Sequence, residues 1–517
     1  MRVAASRSKP LHIWMVTPEM SGIKKTGGLA DAVSGLSEGL ARLGHTVTAI
    51  MPKHLGTLEL FLRAKFNLNY FDDMTVPVGD LRTPTSIIRG SIRDEASGFN
   101  MNAFFLDTAD STAFGSRTRL YGYQDDAHRF FFYNRATHEL FCKFLAEKKR
   151  GKFIPDIVHC HDWQTGITPF LFNYFGPSAA TVRTIYNIHN LGYSCGERNL
   201  DPWNFAHKIG VSTNSDPRLF GPDGLEFYGR VEPHKAALLF ADRVVAVSPA
   251  YAEELRSGKT DPPADLYAGI LKTRGSDMTG ILNGLPDNFG PTLFFNQGVI
   301  PANFGPADLS GRTVNRAALQ DRLGLPRDPE AMVVVWSSRL ADQKGIDITI
   351  QALPEMLEKI PRSQFIFVGD GEQRYVDALN DLAKRYPGRV KIEKFNEQLE
   401  ILALAGGDVL LMPSRYEPCG LNQMKAQKLG TVPFGRETGG LINTIAYAKT
   451  GYSFWELSPE AMTEKLVEVW TAFQNKPFWQ EMVARITQLD YSWDSRAQDY
   501  VDLFRDALSA PRRRWPF

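Results

Sequence analysis

The sequence predicts an α/β protein made of two doubly wound, Rossmann-like domains that face a cleft, and three observations carry that prediction. The chain has 517 residues, more than a single hydrophobic core usually organises. Short apolar runs alternate with helical patterns, as expected of a parallel sheet covered by helices on both faces. The alternation then restarts after a stretch rich in Gly, Pro and Asn, 283–306.

In the first half the strand-like runs are 11–16, 46–50, 157–160, 184–188 and 244–247. Leu29, Val33, Leu36, Leu40 and Leu43 recur in steps of four and three, so one face of a helix is apolar, and Gly44 closes it. The strands of the second half are 332–336, 365–368, 409–412 and 431–434. Two last helical patterns, 462–473 and 500–508, flank Tyr491 and Trp493. The expected division is 1–275, 276–490, and a terminal helix, 491–517, bracing the two domains.

Composition narrows the function classes. A formal net charge of +1, with 43% hydrophobic and 23% charged residues, gives no whole-molecule field for nucleic acid or an anionic membrane. Any anion must therefore be bound locally. Four cysteines, Cys142, Cys160, Cys195 and Cys419, form no Cys-x-x-Cys pair and no disulfide framework, which fits a reducing cytoplasm. Arg2, Arg7 and Lys9 precede an apolar run that Pro10 and His12 interrupt, too short for a signal-peptide core. No stretch approaches the roughly 20 apolar residues that cross a bilayer, and the tail Arg512-Arg513-Arg514 reads as a solvated end.

Several strand ends carry chemistry. The first runs into Gly22-Ile23-Lys24-Lys25-Thr26-Gly27-Gly28 and then a helix, where close backbone approach, helix amides and a lysine suit a phosphate. It is neither a Walker loop nor a dinucleotide fingerprint, because the second strand ends at Met51-Pro52-Lys53 without a ribose-binding carboxylate. His159-Cys160-His161-Asp162-Trp163 and Asn187-Ile188-His189-Asn190 end two further strands, where open α/β sheets bind ligands. Alternate strand residues point to opposite faces and a third ligand is missing, so His161 reads as a polar contact and no metal site is expected.

In the second half, the run from Ser337 to Gly345 places Arg339 and Lys344 in one loop, able to neutralise a diphosphate. Pro413-Ser414-Arg415-Tyr416-Glu417-Pro418-Cys419-Gly420-Leu421 pins a carboxylate between a strand end and a helix start, suited to sugar hydroxyls. Thr438-Gly439-Gly440 then opens another helix with amides turned to an anion.

In this order and spacing the runs resemble the bacterial glycogen synthases and plant starch synthases, retaining glucosyltransferases of the two-domain B-type fold. The likeness also rests on Asp31 in the first glycine loop, Gly224-Leu225-Glu226-Phe227-Tyr228-Gly229, Asn283-Gly284 and Gly430-Thr431-Val432-Pro433. It implies an acceptor-side first domain and a donor-binding second one. It implies that Lys25, Gly28, Arg339 and Lys344 hold and neutralise the nucleotide diphosphate, with Asp31, Asn190, Thr438, Gly439 and Gly440 also lining the substrate site. Glu417, Cys419 and Gly420 would contact the transferred glucose, His161 would sit near its anomeric carbon, Asn283 would lie in the cleft, and Phe395 would face the base. The implied reaction moves glucose from ADP-glucose, or UDP-glucose, to the end of an α-1,4-glucan with retention, without a cofactor. The substrates are a nucleotide sugar and a glucan, with no nucleic-acid or membrane partner.

This chain departs from the family at Gln164, where a second histidine is common, at Leu285-Pro286, at Gly435 and Glu437 around Arg436, and at Ile442-Asn443. Those departures bear on acceptor and base preference. Rival readings are a transferase for another nucleotide sugar or a small acceptor, and a weakly active glycan-binding relative. A nicotinamide dehydrogenase is disfavoured by the missing fingerprint and by Lys53.

Overall fold

The computed structural model describes residues 9–54, 67–94, 99–108, 114–175, 182–194, 199–214, 216–258 and 267–512. Arg2, Arg7, Cys195, Arg513 and Arg514 lie outside the described residues. The chain divides into two compact units. Met1–Val247, Leu255–Gly284 and Trp493–Phe517 form the first, and Ser248–Glu254 with Leu285–Ser492 form the second.

The first unit holds β1 (His12–Val16), β2 (Thr46–Pro52), β3 (Asn67–Val78), β4 (Leu81–Asp94), β5 (Phe99–Thr108), β6 (Ile157–His161), β7 (Arg183–Ile188), the short pair β8 (Glu226–Phe227) and β9 (Arg230–Val231), β10 (Arg243–Ala246) and β11 (Met278–Gly280). Nine of them form one sheet in the order β11-β10-β7-β6-β1-β2-β5-β4-β3. β1 pairs in parallel on both sides, Ile13 opposite Val47 of β2 and Ile157 of β6. β11 extends this sheet, so the first unit runs past residue 275 to Gly284.

The long strands β3 and β4 and the antiparallel pairing of β4 with β5 are absent from the apolar-run reading. Their sequences alternate polar and apolar residues and include Pro77 and Pro84, the pattern of a sheet margin with one wet face.

The predicted first helix forms over Gly28–Arg42, with Leu29, Val33, Leu36 and Leu40 buried and Gly44 at φ +90° just beyond it. It packs on the terminal helix Trp493–Ser509, and their closeness explains two small residues. A Cβ on Gly35 would stand 1.9 Å from the Trp493 indole nitrogen, and one on Gly39 2.9 Å from the Trp493 carbonyl. Trp493, Tyr500 and Phe504 join Ile13, Met15 and Val47 in the core beneath.

The second unit holds β12 (Met332–Ser337), β13 (Ser363–Val368), β14 (Val390–Glu393), β15 (Val409–Met412), β16 (Val432–Arg436) and β17 (Tyr452–Phe454), all parallel, in the order β14-β13-β12-β15-β16-β17. Both faces are covered. Met332, Val334 and Trp336 enter one core while Val333 and Val335 enter the other, so the strand reads as a continuous apolar run. No helix among the described residues is long and apolar enough to cross a membrane.

Strand order fixes where ligands can bind, because a doubly wound sheet opens a crevice where its winding reverses. In the first sheet the reversal lies between β1 and β6, and in the second between β12 and β15. The loops that leave these four strands are those singled out in the sequence.

Candidate active site

In the first unit, Lys25 lies in the loop after β1 and puts Nζ 2.7 Å from both carboxylate oxygens of Asp31. Both side chains are about half exposed, and Ser21 also donates to Asp31 Oδ1 at 2.6 Å. Gly28 begins the helix and is exposed. One amide of this loop is already used, since Thr26 N–H donates to Glu19 Oε2 at 2.6 Å. Glu19 also accepts from the Tyr121 hydroxyl at 3.1 Å, and burial raises its pKa against those hydrogen bonds.

The ends of β6 and β7 form a histidine cluster. His161 is 1% exposed, with Nδ1 3.1 Å from Nε2 of His189, which is half-buried at the end of β7. His161 is therefore the inner member of the pair, and His189, absent from the expected site, is the outer one. The His159 ring lies 4.2 Å from that of His161, tilted by 41°, and reaches Asn187 Oδ1 at 3.3 Å, where the Tyr500 hydroxyl also donates at 2.9 Å. Burial pushes His159 and His189 down to about 3 and His161 well below the usual histidine range, so all three are neutral.

Asp162, next to His161, follows the end of β6. Its φ of +58° is unusual for a non-glycine residue and costs on the order of 1–3 kcal/mol. The geometry puts its carboxylate on the backbone amides of His189 (2.7 Å) and Asn190 (3.3 Å), fixing one strand end by the next. Burial raises its pKa to about 7 despite those bonds. Asn190 Oδ1 in turn accepts from Gly192 N–H at 2.8 Å. Asn283 follows β11, three strands away from β6, and is 6% exposed.

In the second unit most of the expected residues come together. Lys344 Nζ lies 2.6 Å from Glu417 Oε2, with side-chain exposures of 16% and 7%. Ser414 Oγ donates to the same oxygen at 3.0 Å. Arg339, at the exposed rim of the same loop, donates to Gln343 Oε1 at 3.1 Å.

Backbone crossings without room for side chains hold these loops together. Gly345 has φ +75°, and a Cβ there would meet the Pro413 carbonyl at 2.1 Å. A Cβ on Gly439 would meet the Glu417 carbonyl at 2.0 Å, and one on Gly440 the Cys419 carbonyl at 2.0 Å. Gly440 N–H donates to the Glu417 carbonyl at 2.9 Å. Gln423 Nε2 ties the carbonyls of Cys419 (3.0 Å) and Gly420 (2.9 Å) to the Thr444 hydroxyl (3.1 Å).

The glycine turn at Thr438 already meets a negative charge. Glu254 Oε1 accepts from Gly439 N–H at 2.7 Å and from the Thr438 hydroxyl at 3.3 Å, and burial raises its pKa. No local pattern in the sequence marks Glu254, because the contact spans residues far apart in the chain. Phe395 stands apart from this cluster, two strands from β12 beyond the end of β14, with its ring 52% exposed. The departure at Asn443 has a structural use, since its Oδ1 accepts from Ala250 N–H at 2.9 Å. Among the described residues no cluster of His, Cys, Asp and Glu has the arrangement of a metal site.

Comparison with known proteins follows the same division. The family of starch synthase catalytic domains matches residues 12–269, and that of glycosyl transferases group 1 matches residues 319–472. A glycogen synthase from Syntrophotalea carbinolica is 33% identical over 96% of this chain and 99% of its own length. One from Anaeromyxobacter sp. is 34% identical over 97% of this chain and 100% of its own. The catalytic domain of starch synthase IV from Arabidopsis thaliana, solved with ADP and acarbose, gives a TM-score of 0.80 at 26% identity, covering 97% of this chain and 100% of that one.

Proposed function

The chain belongs to the glycogen and starch synthase family of B-type-fold glycosyltransferases, and from that premise we propose that it transfers glucose from ADP-glucose to the non-reducing end of an α-1,4-glucan with retention of configuration. The observation that carries this reading is the Lys344–Glu417 pair at the winding reversal of the second sheet. Breaking the bond between glucose and diphosphate leaves negative charge on phosphate and positive charge on the sugar. Lys344 has three N–H donors and uses one on Glu417, so two can meet phosphate oxygens, with Arg339 adding its fork of donors. Charge fixed in place before the reaction is usually the largest catalytic term.

Glu417 receives Lys344 and Ser414 on Oε2, which turns Oε1 to the hydroxyls of the glucose. In the first unit Asp162 fixes the amides of His189 and Asn190, and His161 is held against His189, so the ends of β6 and β7 form a polar cluster of their own. The cations do the work without a metal or other cofactor. The acceptor hydroxyl attacks on the face of the leaving group, and the departing phosphate takes its proton. ADP in the Arabidopsis relative supports adenine as the base, and Phe395 provides the exposed ring for it. A cytoplasmic location accords with the free thiols of Cys142 and Cys160.

The test is incubation with labelled ADP-glucose or UDP-glucose and glycogen, followed by measuring label in the polymer and the anomeric linkage. Extension from ADP-glucose in α-linkage is expected. Exclusive use of another nucleotide sugar, or label only in a small product, would overturn the assignment.

A further inference from the structure

Arg415 stands two residues before Glu417 in the loop that leaves β15, and its bonds go to the loop that carries Lys344. Its Nη1 donates to the Asp342 carbonyl at 2.6 Å and to Asp347 Oδ1 at 2.8 Å, and its Nη2 donates to Asp347 Oδ2 at 2.8 Å. Its backbone N–H donates to the Gln343 carbonyl at 2.8 Å. Asp342 and Gln343 precede Lys344, and Asp347 lies in the first turn of the helix Ile346–Lys359 that follows it. One residue therefore grips the lysine loop on both sides of the lysine. The Arg415 carbonyl accepts in turn from Arg436 Nη1 at 2.5 Å, which ties in the end of β16.

This grip adds orientation to closeness. At Gly345 a Cβ would meet the Pro413 carbonyl at 2.1 Å, so the two loops touch there through backbone alone. The fork of Arg415 meets both oxygens of Asp347, and a planar two-point bond resists rotation of one loop on the other. The hydrogen bonds from Arg415 hold the Asp347 carboxyl below its usual range, so both partners are charged at neutral pH. Lys344 Nζ sits 2.6 Å from Glu417 Oε2 across the same two loops. On the reading above, that ammonium meets the diphosphate while Glu417 meets the glucose, and a misplacement of about 1 Å at such a site can cost about 100-fold in rate.

Resting on the transfer proposed above, we infer that Arg415 is a positioning residue: paired with Asp347, it sets where Lys344 stands relative to Glu417, and through the lysine it governs nucleotide affinity and turnover. A salt bridge that served stability alone would behave differently. Its side chains are 30% and 25% exposed, and an ion pair so wetted adds little to the folded state. Loss of the pair is therefore felt at the diphosphate more than in melting.

The experiment compares the full chain with Arg415→Ala, Arg415→Lys, Asp347→Asn and the double variant Arg415→Ala/Asp347→Asn. Melting temperature, ADP affinity by calorimetry, kcat, and KM values for nucleotide sugar and for maltoheptaose are measured for each. Arg415→Ala and Asp347→Asn are each expected to weaken ADP binding roughly fivefold and to lower kcat roughly 10-fold to 100-fold, with the maltoheptaose KM unchanged and little shift in melting. Arg415→Lys should rescue little, because a point charge cannot reproduce the fork on Asp347. The double variant should lose no more than the worse single one, because the two residues act as a unit. Unchanged ADP affinity and kcat in the folded single variants overturn the inference. Full recovery in Arg415→Lys, losses that multiply in the double variant, or an equal rise in both KM values would do the same. Asp347→Asn, which keeps the shape of the side chain, carries the test if the alanine variant does not fold. If the variants weaken ADP binding but the unaltered chain turns over no nucleotide sugar, the placement of Lys344 by Arg415 stands and the proposed transfer falls.

Discussion

Lys344 and Glu417 shape each other's behaviour at the level of single residues. Removing the lysine takes a fixed positive charge from the proposed diphosphate site and leaves a carboxylate that is 7% exposed with only the Ser414 hydroxyl as a partner. Lys344→Ala should therefore lower turnover about 100-fold to 1,000-fold and destabilise the second unit by as much as about 3 kcal/mol. The two effects separate in Lys344→Ala/Glu417→Gln, which should recover thermal stability but not turnover; recovery of both would refute the role assigned to the lysine. Arg339→Ala should cost turnover without stability, since its side chain lies at an exposed rim, and Arg339→Lys should not rescue it because the fork of donors is lost.

At the level of elements, strand order brings the loops close and glycine lets them touch. Gly439 combines φ +46° with a backbone oxygen 2.0 Å from where a Cβ would stand. Gly439→Ala should push the turn off Glu417, lowering both turnover and the melting temperature of the second unit. Gly22 has φ +81° but open space around it, so Gly22→Ala should cost only the backbone strain, about 1 kcal/mol. Melting curves of the two variants compare crowding with strain alone; equal losses would mean that the crossing at Glu417 is not tight.

For the whole molecule, pH sensitivity is unevenly distributed. All ten histidines precede Val247, so they fall in the first unit and the second has none. Burial lowers the pKa of His54, His159, His161, His189 and His234 in the folded state. Groups with lowered folded pKa contribute stability above their unfolded value, near 6.5, and lose it as pH falls. Glu19, Asp162 and Glu232 act in the opposite sense, because their raised pKa values favour the folded state at low pH and that benefit fades as pH rises towards 7. Between pH 6.5 and 5 the histidines outnumber the carboxylates, each contributing about 1.4 kcal/mol per pH unit at full effect. The first unit should lose stability on acidification across that window while the second changes little. Calorimetry at pH 7 and pH 5.5, with limited proteolysis to identify the unit that opens, checks this; an equal loss in both units would refute it.

The sequence by itself determined the doubly wound class, the strands that pack on both faces, the first helix and the loops that carry the site, because these are local patterns with a definite period. It also singled out Lys344 and Glu417, which the fold brings together, since residue type at a strand end is visible without coordinates. It left out β3 and β4, whose half-wet alternation lacks an apolar run, and it named His161 without the contact to His189. Only the tertiary structure decided which oxygen of Glu417 receives Lys344 and that Glu254 meets Gly439. Those contacts join residues distant in the chain, and their geometry comes from strand order and loop crossings that no local pattern encodes.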